Sequence, residues 1–171
     1  MAFVSRLLYD NSVPEFIEAA RLYKNTLSDV QFLLVRDTNL AGVGQGDLAD
    51  LRGHNVVELL GHFTDVASLM RTLDILVLPS YREGFIKVVM ETAAIGLPVV
   101  TTYVMGCRSA VVRNETGLIV PSKNVEALEK SIGKLLDSPA LRLAMGGNAR
   151  QFAALNFDVR RLSSIYISVW D

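Results

Sequence analysis

One stretch restricts the folds open to this chain more than any other: Asp74 to Val100, which reads as strand, loop, helix, strand. Ile75 to Leu78 is an unbroken apolar run stopped by Pro79, the pattern of a short strand covered on both faces in a parallel sheet. A polar loop of Tyr81, Arg82, Glu83 and Gly84 follows. A helix is then predicted from near Phe85 or Ile86, with Val88, Val89, Ala93 and Ile95 on its inner side and Gly96 as its stop. Leu97 to Thr101 supplies the next strand.

Two carboxylates bracket the start of that helix, Glu83 at the mouth of the loop and Glu91 about two turns in. With a helical rise of about 1.5 Å per residue they stand roughly 10 Å apart, too far to share a proton. That spacing suits gripping two parts of one elongated ligand. Between them, the free N–H groups of a helix N-terminus favour an anion. A nucleoside diphosphate sugar fits: one carboxylate for sugar hydroxyls, peptide N–H groups for phosphate, the other carboxylate for ribose hydroxyls.

The remainder of the chain alternates in the same way. Ala2 to Leu8 reads as a first strand, and Pro14 to Lys24 as a helix with Val13, Phe16, Ile17 and Ala20 at helical spacing. Val30 to Val35 and Asn55 to Leu59 are further strands, and Thr64 to Leu73 a helix capped by Thr64 or Asp65, with Val66, Leu69 and Met70 inward. A short helix is expected over Gly106 to Val112 and a sixth strand over Leu118 to Val120. The tail turns helical: Asn124 to Leu136, then a helix opened by Ser138 and Pro139 carrying Leu141, Met145, Ala149 and Phe152. A last helix starts at Asp158, with Leu162, Ile165, Tyr166 and Val169 on one stripe beside Trp170. Strands alternating with helices indicate an α/β fold, a Rossmann-like doubly wound parallel sheet of about six strands with C-terminal helices. Residues 1–171 read as a single domain.

Composition excludes several classes of function. The chain has 171 residues, half of them hydrophobic, enough for one core that buries roughly 70% of the unfolded surface. Lysine and arginine total 17 against 18 acidic residues, a net charge of −1, which gives no reason to expect nucleic acid or an anionic membrane as the main partner. Cys107 stands alone, so there is no internal disulfide, in keeping with a reducing cytoplasm. Met1 to Leu8 carries Arg6 within its short apolar run and does not read as a targeting segment, and the uncharged stretch from Thr92 to Cys107 is too short and too broken by Gly96 and Pro98 to span a bilayer. His54, His62 and Cys107 are too scattered for a zinc site. The glycine-rich Gly42-Val-Gly-Gln-Gly lacks both the G-x-G-x-x-G spacing and a following lysine, and reads as a connection. Neither Gly-x-Ser-x-Gly nor Asp-x-Asp occurs as an evident motif, so a hydrolase triad and a metal-dependent donor site both lack support.

The two glutamates inside Leu-Pro-Ser-Tyr-Arg-Glu-Gly-Phe-Ile-Lys-Val-Val-Met-Glu resemble the donor-binding signature of family 4 retaining glycosyltransferases of the GT-B fold. The likeness extends to Gly61 through Asp65, Gly96-Leu-Pro-Val-Val, Gly106-Cys-Arg and Thr116-Gly-Leu-Ile-Val-Pro, nearly the whole chain. The resemblance implies the C-terminal, donor-binding half of such an enzyme. In the family, a sugar–phosphate bond breaks through an oxocarbenium-like state and the acceptor attacks from the same face, without a metal or other cofactor. The acceptor-binding N-terminal half would precede Met1, or come as a partner subunit. The implied donor is a UDP-sugar and the implied acceptor a glycan or lipid-linked sugar of bacterial surface polysaccharide. The implied location is cytoplasmic, at the inner face of the membrane, with peripheral membrane association through the missing half.

Carried over position by position, the resemblance makes Glu83 and Arg6 the catalytic candidates. Arg6 would hold the diphosphate, where a guanidinium grips phosphate oxygens bidentately and offsets leaving-group charge. Donor-binding candidates are Glu91, the backbone of Gly84, Phe85, Ile86 and Lys87 at the helix start, Val57 and Leu59 near the base, and Asn11. Asn11 and Ser12 stand where the family usually has lysine and glycine, which removes half of the phosphate clamp and implies weaker donor binding. Lys87 either substitutes for that charge or is solvated; Val57 and Leu59 are equally plain core residues. Further departures are Arg36 for glycine, Ile86 for proline, Tyr103 for aspartate and Ser109 for glutamate. Two other functions compatible with the pattern are a non-catalytic nucleotide-sugar binding module and a GT-B sugar-nucleotide epimerase.

Overall fold

The computed structural model describes residues 4–6, 13–24, 30–35, 56–60, 65–80, 87–104 and 110–157. Strands β1 (Val4–Arg6), β2 (Leu33–Val35) and β3 (Glu58–Leu60) form one parallel ladder, with Val4 opposite Leu33 and Leu33 opposite Glu58. Strands β4 (Leu76–Leu78), β5 (Val99–Thr102) and β6 (Gly117–Val120) form a second, with Leu76 opposite Val99 and Val99 opposite Gly117. β1 and β4 lie side by side, so the strands run β3-β2-β1-β4-β5-β6, the doubly wound order, whose direction of winding reverses between β1 and β4.

The strands alternate between two cores. Leu34, Ile75, Val77, Val100, Leu118 and Val120 pack on one face under helices α1 (Val13–Lys24) and α4 (Val125–Leu136), through Phe16, Ile17, Ala20, Leu128, Ile132 and Leu135. Their neighbours Leu33, Leu76, Leu78, Val99 and Ile119 pack on the other face with Leu69 and Met70 of α2 (Val66–Met70) and Val89 of α3 (Lys87–Ile95). Both faces being covered is why β2, β4 and β6 read as runs without polar side chains. Phe16 and Phe32 meet edge to face, ring centroids 6.0 Å apart, at the end of the first core.

Helix ends follow the sequence signals closely. Asn124 accepts from the Ala127 N–H (2.9 Å), Ser138 from the Leu141 N–H (3.3 Å) and Asp65 from the Ser68 N–H (3.0 Å), which selects Asp65 as the cap of α2. The long helix α5 (Pro139–Asn156) follows Ser138 with proline in its first turn, and Arg142 donates to the Leu136 carbonyl (2.9 Å) at the end of α4. Gly96 ends α3 at φ +86°, its N–H donating to Ala93 (3.0 Å) and that of Leu97 to Thr92 (3.1 Å), the paired bonds of a glycine C-cap.

Some expected boundaries are corrected. α2 stops at Met70, short of Leu73: Thr72 turns its hydroxyl onto the Leu69 carbonyl (2.7 Å) and the chain tightens into turns. β2 begins at Leu33 rather than Val30 and β3 at Glu58 rather than Asn55, pairing starting with the Glu58 N–H on the Phe32 carbonyl (2.8 Å). β5 runs from Val99 to Thr102 instead of Leu97 to Thr101. The helix expected over Gly106 to Val112 lies largely outside the described residues and has ended by Val111, and the helix expected from Asp158 lies wholly outside them.

α1 and α4 are locked together at Tyr23. Its hydroxyl donates to the Glu129 carbonyl (2.9 Å), sits 3.1 Å from the Glu129 carboxylate, and occupies the slot left by the missing side chain of Gly133. Burial, then the hydrogen bond to Glu129, pushes the phenol up to about 12. The folded state therefore holds the Tyr23 proton more tightly than the unfolded chain. That contribution is complete below the ordinary tyrosine range and is lost as pH rises from about 10 to about 12. Urea melts across that window are expected to lose stability, and Tyr23→Phe to flatten the loss.

Candidate functional site

The reversal of winding between β1 and β4 leaves a crevice at the carboxyl ends of these strands, the place where open α/β sheets bind ligands. Arg6 is the last residue of β1, in register with Val35, so its backbone stands at that crevice; its side chain lies outside the described residues. Leu78 ends β4 beside it, and Pro79, which has no N–H, ends the ladder.

Ser80 is wholly buried just beyond the end of β4, and its backbone is met by a side chain from the neighbouring strand. Its N–H donates to Thr102 Oγ1 (2.9 Å), and the same hydroxyl donates back to the Ser80 carbonyl. One residue earlier, Thr101 Oγ1 donates to the Leu78 carbonyl (2.8 Å). The loop that follows, with Glu83, Gly84, Phe85 and Ile86, lies outside the described residues, as do Asn11, Arg36, His54, His62, Cys107 and Ser109.

The chain is described again at Lys87, where α3 starts. Lys87 and Glu91 lie one turn apart on its outer face, Nζ to Oε1 3.5 Å, with side chains 88% and 45% exposed. A pair so open to water, with lysine on the N-terminal side of glutamate, contributes little and leaves the carboxylate available. Met90 and Ala94 continue the same face. Opposite them Arg150, Ala153 and Ala154 of α5 and then Phe157 complete an open groove of about 450 Å³.

That groove has a built floor. Val89, Thr92 and Ala93 hold α3 down, Thr92 donating to the Val88 carbonyl (2.6 Å), and Ala93 packs against Ala149 and Ala153. Below it, Gly96 and Gly146 bring the two helices into backbone contact.

Of the residues expected near a base, Val57 is 5% exposed and packs within the core of α1 and α4, while Leu59 pairs with Leu34 inside the ladder. Tyr103, which replaces the family aspartate, is 59% exposed just beyond β5. Among the described residues no three His, Cys, Asp or Glu side chains gather to hold a metal ion, and no helix is long and apolar enough to cross a membrane. Sequence reasoning placed Lys87 and Glu91 on one helix but missed the wall from α5 and the hydroxyl of Thr102. Only the small residues Gly146, Ala149 and Ala153, recurring at helical spacing, hinted that α5 lies close against another helix.

A doubly wound sheet with its crevice at β1 and β4 is the architecture of the Rossmann-like half of a GT-B fold. The chain belongs to the glycosyl transferases group 1, whose family description matches residues 1–152. It is 33% identical, over 98% of its own length, to an N,N'-diacetylbacillosaminyl-diphospho-undecaprenol alpha-1,3-N-acetylgalactosaminyltransferase of Campylobacter jejuni, and 30% identical over 88% to the capsular polysaccharide biosynthesis glycosyltransferase CapM of Staphylococcus aureus. It spans only 43% and 40% of those two proteins. Among solved structures it superposes on HepE of Anabaena in complex with UDP at a TM-score of 0.85 and 21% identity, covering 99% of this chain and 48% of that one. The C-terminal domain of a group 1 glycosyl transferase, LpcC of Francisella tularensis, matches at a TM-score of 0.82 and 20% identity, covering 92% of this chain and 86% of that domain.

Proposed function

We propose that this chain is the donor-binding half of a retaining glycosyltransferase that takes its sugar from a UDP-sugar. The observation that carries the reading is Glu91, exposed in an open groove on the helix that follows the β4 loop, eight residues after Glu83. Glu91 accepts from the ribose hydroxyls and Glu83 from the sugar. The donors to the diphosphate in this reading are the peptide N–H groups of Gly84, Phe85, Ile86 and Lys87 and the guanidinium of Arg6. No metal is needed in this scheme, since the charge that develops on the departing diphosphate is met by the guanidinium and by oriented N–H donors.

Several observations support the reading. UDP is bound by the solved protein with a similar fold, and the two similar enzymes act, by their names, on an undecaprenol-linked sugar and in capsular polysaccharide biosynthesis. A lipid-linked or glycan acceptor at the inner face of a bacterial membrane follows. The acceptor-binding half, a further domain or a separate subunit, completes the cleft in which transfer takes place. Asn11 in place of the family lysine slows departure of the diphosphate, or, in the rival reading, leaves a module that binds without transferring.

Titration calorimetry of the chain with UDP, GDP and UDP-sugars tests the first step. Binding of UDP and at least one UDP-sugar is expected, with GDP weaker, and heat from none of them would overturn both the transferase and the module. Addition of a separately expressed acceptor half, followed by a transfer assay, then divides enzyme from module.

A further inference from the structure

We propose that the outer face of α5 is a dimer interface, on which a second copy of this chain docks with its own α5 running antiparallel. The interface is independent of the donor-binding reading. A helix side turned to water is ordinarily charged or polar. On α5, Leu143, Ala144, Gly147, Gln151, Ala154 and Leu155 are all exposed, Leu143 at 79% and Leu155 at 63%, and they fall within about 120° of the helix circumference. None of the six is charged, and α5 contains no acidic residue. Its other side is the one that packs on the protein, through Met145, Ala149 and Ala153.

The order of these residues selects the occupant. A two-fold interface sets one surface against itself, so that residue i meets j and j meets i. Leu143 and Ala144 stand as far before Ala149 as Leu155 and Ala154 stand after it. With the two-fold axis level with Ala149, Leu143 lies opposite the partner's Ala154, and Ala144 opposite the partner's Leu155. Large meets small at both ends, and symmetry repeats each pairing, which is the interdigitation that packed helices require. Gly147 and Gln151 straddle the axis. A Cβ at Gly147 would have nothing within 4 Å, which leaves room above it for the partner's Gln151. The amide of Gln151 is donor and acceptor at once, so a copy of itself satisfies it. A charged partner, whether lipid headgroups or nucleic acid, finds no ion to pair with on this face. Arg150 stands at its edge, toward the groove that holds Glu91, where its charge keeps water.

Sedimentation equilibrium of the wild-type chain, at about 1 to 200 µM, reads the association directly. One helix face is a small interface, so a dimer with a Kd of about 10 µM is expected. Leu143→Glu and Leu155→Glu should each weaken it by at least about tenfold, since each places a charge against an apolar side chain of the copy. Leu22→Glu, which charges another exposed leucine on α1 (52%), leaves the dimer unchanged. Thermal melts check that these variants fold; should Leu143→Glu or Leu155→Glu fail, Gln151→Arg, which brings like charges together across the axis, is read in the same way. Cross-linking tests the register: in a chain with Cys107→Ser, a short bis-maleimide joins two copies through Gln151→Cys and not through Glu126→Cys on the exposed side of α4. A wild-type chain that stays monomeric throughout overturns the proposal. So does Leu22→Glu dissociating the dimer as far as Leu143→Glu does, or equal cross-linking through the two cysteine positions. None of these outcomes bears on UDP binding, so the donor reading stands or falls by its own calorimetry.

Discussion

Gly146→Ala is expected to lower the melting temperature by about 10 °C, a large effect for a single methyl group. A Cβ at Gly146 would fall well inside contact distance of the Gly96 carbonyl oxygen and 3.0 Å from its carbon. Backbone is on the other side of that contact, so no rotamer change relieves it, and the helices have to separate. Overpacking of this kind costs about 3 kcal/mol, the upper end of what added methyl groups do in a packed interior. Gly147, one residue on, has nothing within 4 Å of its would-be Cβ. Gly147→Ala is therefore stabilising by a few tenths of a kcal/mol to about 1 kcal/mol from helix propensity alone. Thermal melts of the two alanine variants side by side separate the contact from the propensity; a Gly146 variant that melts with the wild type would mean that α3 and α5 do not touch as described.

Glu91→Ala is expected to weaken UDP binding by about ten- to a hundredfold, the worth of a charged group that accepts from two ribose hydroxyls. Glu83→Ala is expected to act differently: UDP binds it nearly as well as the wild type, and the loss falls on the intact UDP-sugar. The difference follows from where each carboxylate would meet the ligand. Glu91 is one turn into α3, on a helix pinned from below, and 45% exposed in the groove. Its partner Lys87 is 88% exposed and holds it at 3.5 Å, so exchanging that pairing for ribose hydroxyls costs little. Lys87→Ala should consequently change UDP affinity by no more than about twofold if the lysine is merely solvated, and by about tenfold or more if it has taken over from the family lysine absent at Asn11. Calorimetry with UDP and a UDP-sugar on the three variants reads out all of these; equal losses of both ligands in Glu83→Ala and Glu91→Ala would contradict the division of roles.

Much of the fold was legible because it is driven by burial with a simple period. Ile75 to Leu78 and Val99 to Val100 are apolar without interruption, and the structure sends alternate residues of each to opposite cores. The caps Asn124, Ser138 and Asp65 and the stop at Gly96 are local chemistry, complete within a few residues of sequence, and were equally legible. What sequence did not fix was register. Val30 and Phe32 on either side of Gln31 read as strand residues just as Leu33 to Val35 do, and only the pairing of Leu33 with Val4 and Glu58 decides where the ladder begins. The site divides the same way. Lys87 and Glu91 share a helix face by spacing alone, but the wall from Arg150 to Phe157 comes from a helix some sixty residues on, and the Thr102 hydroxyl finds its partner 22 residues back. Contacts of that range leave no periodic trace.

The close approach of Gly96 to Gly146 bears on how this molecule opens. Helices that touch main chain to main chain over a floor of alanines cannot unfold one at a time without exposing both, so their amide protons should exchange with solvent together, as one cooperative block. The short helix that bears Glu91 thereby inherits the protection of an eighteen-residue neighbour, far beyond what nine residues could sustain alone.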